Sequence, residues 1–211
     1  MAQEEQILVI KREVFEKVGL FNGLMFETER YLDKIFARGI PFFMNRSEAE
    51  KDPSFKQLIP YVIMSHNGKY LSYVRGKRAG ETRLVAKRSI GIGGHINPVD
   101  DMPLFANFLD TYLSAVDREI SEEVTVEANH TNHIVALLND ESNEVGSVHL
   151  GIVHYWVLDA PKVDRREQMI TQMSFMTLAE LQNVRDDMET WSALCLNNLA
   201  EMAEKVTNTI R

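Results

Sequence analysis

An α/β fold, with a mixed β-sheet held between helices as an α/β/α sandwich, is what this sequence predicts. Three observations lead there. Paired β-rich runs flank polar turns, at residues 61–65 with 70–74 and again at 133–138 with 147–158. A mid-chain segment carries Leu109, Leu113, Val116, Ile120 and Val124 at helical spacing, an apolar stripe that would dock on a core. The last part of the chain enters a helical region through Thr177 and Glu180, the spacing of a capping box. The 211 residues suffice to bury a sizeable core. They are expected to form a main domain over residues 56–211, with residues 1–55 as an N-terminal elaboration packed on it.

The elements follow in chain order. Residues 6–15 are rich in Ile and Val and predict a strand with Lys11 and Arg12 exposed, broken at Gly19 and Asn22-Gly23. Residues 27–38 read as an amphipathic helix with Tyr31, Leu32 and Ile35 inward, followed by an apolar patch at 41–44 and a polar segment at 45–52. The first hairpin turns at His66-Asn67-Gly68-Lys69, where Asn-Gly is a strong hairpin signal and His66 belongs to the turn. Arg75, Lys77, Arg78, Lys87 and Arg88 then flank the approach to a strand at 89–93. Charge-assisted donors of this kind suit a diphosphate, and Arg75 and Arg88 are the two selected as phosphate ligands.

Gly93-Gly94 predicts a turn whose backbone approaches something closely. His95, beside it, reads as structural. Pro98, Asp100 and Asp101 mark a helix start, with Pro103 tolerable in the first turn, and Leu104, Phe105, Phe108 and Leu109 continue at helical spacing. His149 and His154 are an odd number apart, so a regular strand points them to opposite faces and one metal cannot use both. His130 and His133 make a weak ligand pair. Residues 161–172 read as a charged connection, and residues 188–206 as a helix with Trp191, Leu194, Leu199 and Met202 inward. Trp191 is best explained as core.

Composition narrows the classes. Hydrophobic residues make up 45% and charged residues 26%, ordinary values for a soluble globular protein. A net charge of −8 argues against a nucleic-acid polymer or an anionic membrane as partner, while leaving room for a small phosphate ligand beside local cations. The single Cys195 excludes an internal disulfide, and its neighbours Leu194 and Leu196 make it a buried thiol rather than a nucleophile. No apolar run approaches a membrane span and residues 1–5 lack a signal pattern, so a cytoplasmic location is expected.

The chemistry concentrates in Arg118-Glu119-Ile120-Ser121-Glu122-Glu123. On a helix, Glu119, Glu122 and Glu123 fall within an arc of roughly 100°, because i, i+3 and i+4 share a face. A Glu-rich helix alone is usually a solvated face. Three carboxylates bordering an apolar stripe, however, repel one another unless a cation sits among them. A hard divalent ion with oxygen ligands fits, and magnesium characteristically takes a few carboxylates plus substrate phosphates.

In these residues the sequence resembles the Nudix hydrolases, whose signature reads G, five residues, E, seven residues, R-E-U-x-E-E-x-G-U, with U aliphatic. Gly94 matches the first glycine, and Asp100 stands where the first glutamate is expected. Arg118, Glu119, Ile120, Glu122, Glu123 and Val126 match the second half. There are two departures. Thr125 replaces the closing glycine, and seventeen residues rather than seven separate Asp100 from Arg118.

The resemblance implies a hydrolase that cleaves the diphosphate linkage of a nucleoside diphosphate derivative or a related small phosphorylated molecule. Glu119, Glu122 and Glu123, with the backbone at Gly94, would hold Mg²⁺, with Mn²⁺ as an alternative. Arg118 and Asp100 would be structural members of the motif, and a homodimer is compatible with the family. Side chains near the start of the late helix can face substrate in this family, which makes Glu189 and Trp191 candidates. A non-catalytic module that binds a nucleotide or sugar phosphate is the alternative. An isopentenyl diphosphate isomerase ranks below both, because its distinctive cysteine motif is not found around Cys195.

Overall fold

The structure, a computed structural model, describes residues 4–76, 86–101, 107–168 and 170–209. Lys77, Arg78, Pro103, Leu104 and Phe105 of the sequence reading lie outside the described residues.

In chain order the elements are β1 (Gln6–Lys11), α1 (Arg12–Val18), β2 (Gly23–Met25), α2 (Thr28–Ile35), β3 (Phe42–Asn45) and α3 (Arg46–Ala49). The hairpin β4 (Phe55–His66) and β5 (Lys69–Arg75) follows, then β6 (Arg88–Ser89), a 3₁₀ turn at Pro98–Asp100 and the long helix α4 (Phe108–Glu123). The chain continues through β7 (Val124–Val126), β8 (His130–Asn139), α5 (Glu144–Val148), β9 (His149–Leu158), β10 (Val163–Arg165) and β11 (Ile170–Thr177). It closes with α6 (Leu178–Asn183), α7 (Thr190–Leu196) and α8 (Leu199–Thr209). The main sheet is hydrogen-bonded in the order β11-β5-β4-β9-β8-β2, with β1 on β4, β3 on β1 and β6 on β5; β7 and β10 form a separate ribbon. None of the described helices is long and apolar enough to cross a membrane.

Two compact units interleave along the chain, and β4, β8, β9 and α4 run through both. The first comprises Met1–Pro60, Gly93–Glu119 and Ala136–Ile152. Here β1 lies between β3 and the start of β4, with Ile7 opposite Met44 and Val9 opposite Gln57. That central place buries Ile7, Leu8, Val9 and Ile10 alike. The strand expected over residues 6–15 stops at Lys11, and α1 takes Arg12 onward, burying Phe15. Phe21 meets both Phe15 and Tyr31 edge-on, at 5.2 and 5.5 Å between centroids. In α2, Tyr31 and Ile35 are buried as expected, but Leu32 is only half-buried. Arg12 is not simply solvated, because its Nη2 donates to Glu141 at 3.1 Å.

The same unit buries Lys56 completely. Its Nζ donates to Asn139 Oδ1 (2.8 Å), Glu141 Oε1 (2.9 Å), the Gly146 carbonyl (3.2 Å) and the His149 carbonyl (3.3 Å). Burial pulls the ammonium pKa down, and the Glu141 carboxylate partly restores it. Burial works the other way on Glu141, but Lys56 holds its carboxyl below the usual range. Removing the cation leaves several acceptors unpaired at once. Lys56→Ala is therefore expected to cost about 3 kcal/mol, the lower end for a buried pair, because Glu141 is part-exposed. At this chain length that lowers Tm by about 6–12 °C in calorimetry; an unchanged Tm would show that the network contributes nothing to stability.

The second unit comprises Tyr61–Ile92, Ile120–Val135 and Val153–Arg211. The expected hairpin is present, with Asn67 at φ 48° and Gly68 at φ 71° between β4 and β5, the doubly positive turn that Asn-Gly favours. Residues 161–172 are not a plain connection: they hold β10, which pairs with β7, and the start of β11, which pairs with β5. Thr177 caps α6 with Glu180 in a reciprocal box, as expected. The single helix expected over residues 188–206 is two, α7 and α8, parted at Asn197-Asn198. Their buried residues are Ser192, Cys195, Leu196, Leu199, Met202 and Val206, whereas Trp191 and Leu194 are half-buried. The Cys195 thiol is pushed up by burial, as an inert core thiol should be.

Two corrections concern α4. Asp100 and Asp101 do not open it: Asp100 closes the 3₁₀ turn, and α4 starts at Phe108. Its buried stripe is Tyr112, Ala115, Val116 and Ile120, leading into Val124, while Leu113 is 37% exposed. The stripe runs through the neighbouring Tyr112 instead of Leu113.

Candidate active site

Ile92 exchanges two backbone hydrogen bonds with Val62, at 2.7 and 3.0 Å, and so delivers the chain to Gly93-Gly94. Neither glycine has a positive φ; each is required for space. A Cβ on Gly93 would lie 2.1 Å from the Pro60 carbonyl oxygen, and one on Gly94 only 1.8 Å from Glu119 Oε2. Despite the long spacer, the glycine turn lies directly against the first motif glutamate.

Arg118 fixes that glutamate. Its Nη1 donates to Glu119 Oε1 (2.7 Å), while Nε and Nη2 clamp the two oxygens of Asp100 at 2.7 and 2.8 Å. Nη2 also donates to the His95 carbonyl at 2.9 Å. Asp100 is 3% exposed and accepts from the Asn97 backbone N–H as well. These charge-assisted bonds, that to Asp100 foremost, push the guanidinium further above its ordinary range. Asp100 is thus the bidentate partner of Arg118, a role a shorter carboxylate fills when the turn brings its backbone close.

His95 is held by its side chain too, with Nε2 2.9 Å from Gln57 Oε1 and its ring 5.8 Å from that of His149. Burial lowers its pKa to about 3, with Arg46 and His149 adding to the effect, so the ring is neutral and structural. Four other histidines have partners of their own. His154 is fully buried against Asn132, and His149 binds the Val145 carbonyl. His130 stacks on Trp156 at 3.8 Å, and His133 meets Thr131.

Further along α4, Glu122 is exposed and Glu123 half-buried. Burial pushes the Glu123 carboxyl up; Arg75 opposes this, and Glu167 and Glu122 reinforce it. Burial also works against the Arg75 charge, but Tyr73, Glu189, Tyr61 and Glu123 outweigh it. The Arg75 guanidinium lies 5.8 Å from the Tyr73 ring centre, and its buried Nε has no hydrogen-bond partner among the described residues. Arg88, the other selected cation, donates to Ser72 Oγ at 3.1 Å and lies near Met176 and Gln172, all uncharged groups.

Glu189 is buried and held in a hydrogen-bond network. Its Oε1 accepts from Ser89 (2.7 Å), Tyr61 (2.9 Å) and Ser192 (2.9 Å), all buried. Trp191 packs edge-on against Tyr61 at 5.6 Å. Sequence reasoning gave no warning of this network, because Ser89 and Glu189 are 100 positions apart.

Among the described residues, no three His, Cys, Asp or Glu side chains converge closely enough to hold an ion. Glu119 is turned onto Arg118 and Gly94, and Glu122 and Glu123 follow at the end of the same helix. The residues nevertheless fit a hard cation in two respects. The donors are carboxylate oxygens beside a glycine whose Cβ would collide with one of them. Burial and the neighbouring carboxylates push the Glu123 carboxyl up even against the Arg75 charge, so a further cation there would favour its ionised form.

No protein-family model matches the chain. Protein YmaB of Bacillus subtilis (strain 168) is 35% identical over 205 residues, spanning 93% of this chain and 98% of YmaB. The crystal structure of Tm1382, "a putative Nudix hydrolase", is 30% identical with a TM-score of 0.78, covering 94% of this chain and 100% of its own. A bifunctional NMN adenylyltransferase/ADP ribose pyrophosphatase from Francisella tularensis, complexed with AMP and a Mn ion, shares the fold at a TM-score of 0.51 and 14% identity. That match covers 70% of this chain and 42% of the other. Likeness to Tm1382 over nearly the whole chain, together with the mixed sheet and the retained R-E-x-x-E-E helix, shows that the chain belongs to the Nudix hydrolase family.

Proposed function

We propose that this protein is a metal-dependent hydrolase that cleaves the diphosphate linkage of a nucleoside diphosphate derivative or a related small phosphorylated molecule. The observation that carries the reading is the placement of Glu119 between Gly94 and the Arg118 clamp, on the helix that also bears Glu122 and Glu123. Glu119, Glu122 and Glu123, with the Gly94 backbone, would hold Mg²⁺, or Mn²⁺ with the same oxygen donors. Such an ion, when bound, neutralises diphosphate charge and lowers the pKa of an attacking water. The bifunctional F. tularensis protein that shares this fold includes an ADP ribose pyrophosphatase, which makes ADP-ribose one compound to test.

The protein's own groups supply the rest. Arg118 holds Glu119 in one orientation through a planar fork that Asp100 fixes from the other side. Arg75, cationic and with an unpaired buried N–H among the described residues, is a donor for a phosphate oxygen. In the reaction, a water oxygen bonds to one phosphorus, and the bond from that phosphorus to the bridging oxygen breaks. Two phosphate-bearing products leave, and the water's proton passes to a carboxylate.

A second reading, a module that binds such a ligand without cleaving it, is favoured by one observation: Glu119 is committed to Arg118, and no three acidic groups converge among the described residues. The two separate in a single experiment. Nucleoside diphosphate derivatives, ADP-ribose among them, are incubated with the protein with and without Mg²⁺, and products and thermal stability are followed together. Mg²⁺-dependent cleavage of one compound well above the rest is the expected result. Stabilisation by a ligand without products would establish the binding module.

A further inference from the structure

A helix leaves its last carbonyls unpaired, and a left-handed glycine just beyond the end commonly satisfies them. In this chain Thr125 replaces the glycine of the family pattern, and the helix ends differently. α4 passes from Glu123 straight into β7, where the exposed Thr125 lies opposite Asp164 of β10. Thr125 is not left-handed: among the described non-glycine residues, positive φ is confined to Asn67, Ala86 and Gln172.

The carbonyls are met from elsewhere in the chain. The backbone N–H groups of Arg166 and Glu167 both donate to the Glu123 carbonyl, at 2.9 and 3.3 Å. The Arg166 guanidinium donates to the Ser121 carbonyl through Nη1. These two carbonyls bracket Glu122. A cation at a helix C-terminus is also favourably placed against the helix dipole. Thr125 and Arg166 are coupled through the ribbon: Val124 pairs with Arg165, so an extended residue at 125 continues the strand whose partner delivers Arg166 to the helix end.

We propose that Arg166 is a positioning residue that caps α4 in place of the motif glycine and fixes the direction in which Glu122 and Glu123 leave the helix. The inference rests on the metal-binding reading of those glutamates. Losing the guanidinium removes its bond to the Ser121 carbonyl and the cation at the helix end, which loosens the last turn and the direction of the two carboxylates.

The test uses the full chain and Mg²⁺ alone. Titration calorimetry is run on wild type, Arg166→Ala, Arg166→Lys and Thr177→Ala, with hydrogen exchange read at the amides of residues 120–123. Arg166→Ala is expected to weaken Mg²⁺ binding about 10-fold, the scale of a group that orients a ligand, and to speed exchange in the last turn of α4. Arg166→Lys, which keeps a donor and a charge, recovers part of both. Thr177→Ala, which breaks the α6 cap, lowers stability without changing Mg²⁺ affinity, and so separates positioning from general destabilisation. Wild-type binding that persists unchanged in Arg166→Ala overturns the cap alone. Wild-type protein that binds no Mg²⁺ overturns the metal reading and this inference together.

Discussion

Glu122→Gln and Glu123→Gln are each expected to reduce metal-dependent turnover by more than about 100-fold while leaving the fold intact, because losing a ligand exceeds the 10–100-fold cost typical of losing a group that merely orients one. Glutamine keeps the shape and removes the charge that a hard cation requires. Neither position contributes to the core: Glu122 is exposed and Glu123 half-buried. In metal-free buffer the Glu123 variant should be no less stable than wild type. The Glu123 carboxyl is pushed above its ordinary value of 4.5, chiefly by burial, so its ionised form is disfavoured in the folded state. Wild type therefore loses stability as pH rises from 4.5 through the folded pKa, and the glutamine variant does not. Activity and stability moving in opposite directions is the pattern to look for in paired kinetics and calorimetry. Full turnover in both variants would remove these glutamates from the site.

Gly94→Ala is expected to have the other large effect. The added Cβ would stand 1.8 Å from Glu119 Oε2 and 2.3 Å from its Cδ, against a closest real approach of about 3.0 Å. Gly94 does not occupy a left-handed conformation, so alanine suits the backbone and the collision alone decides the outcome. Glu119 must swing off the 2.7 Å bond to Arg118, which leaves Asp100 with an unbalanced clamp. Mg²⁺ affinity should fall about 10–100-fold, with a stability loss of about 1–3 kcal/mol. Combining the change with Glu119→Asp, whose shorter side chain relieves the clash, should recover part of the stability in a double-mutant cycle. Strict additivity would show that Gly94 and Glu119 do not meet in solution.

How much of this was legible in the sequence depends on the distance over which each feature is determined. Asn67-Gly68 and the Thr177–Glu180 box are local devices, and both formed where the residues predicted. The motif helix was legible for the same reason, since i, i+3 and i+4 need no distant partner. Val116, Ile120 and Val124 of its stripe are buried as expected, but Leu113 is not, because Tyr112 and Leu113 are both apolar and only packing chooses Tyr112. Residues 12–15 continue an Ile- and Val-rich run without a breaker, so the change from β1 to α1 left no local mark. The three-residue strand β10 is too short to show a period and exists because β7 pairs with it. The least legible features were long-range. The buried ammonium of Lys56 finds Glu141 across 85 positions, and Arg166 reaches back 45 to cap α4. The motif departure at Thr125 did signal that the helix must end in another way, but not which residue would cap it.

The most direct test of the central claim is phosphorus NMR of the best-cleaved diphosphate in water enriched in ¹⁸O, with Mg²⁺ and with a chelator in its place. The account predicts two phosphate-bearing products, one carrying a single ¹⁸O on phosphorus, formed only when Mg²⁺ is present and abolished by Glu122→Gln. Cleavage that proceeds equally in the chelator, or products with no ¹⁸O on either phosphorus, would contradict it.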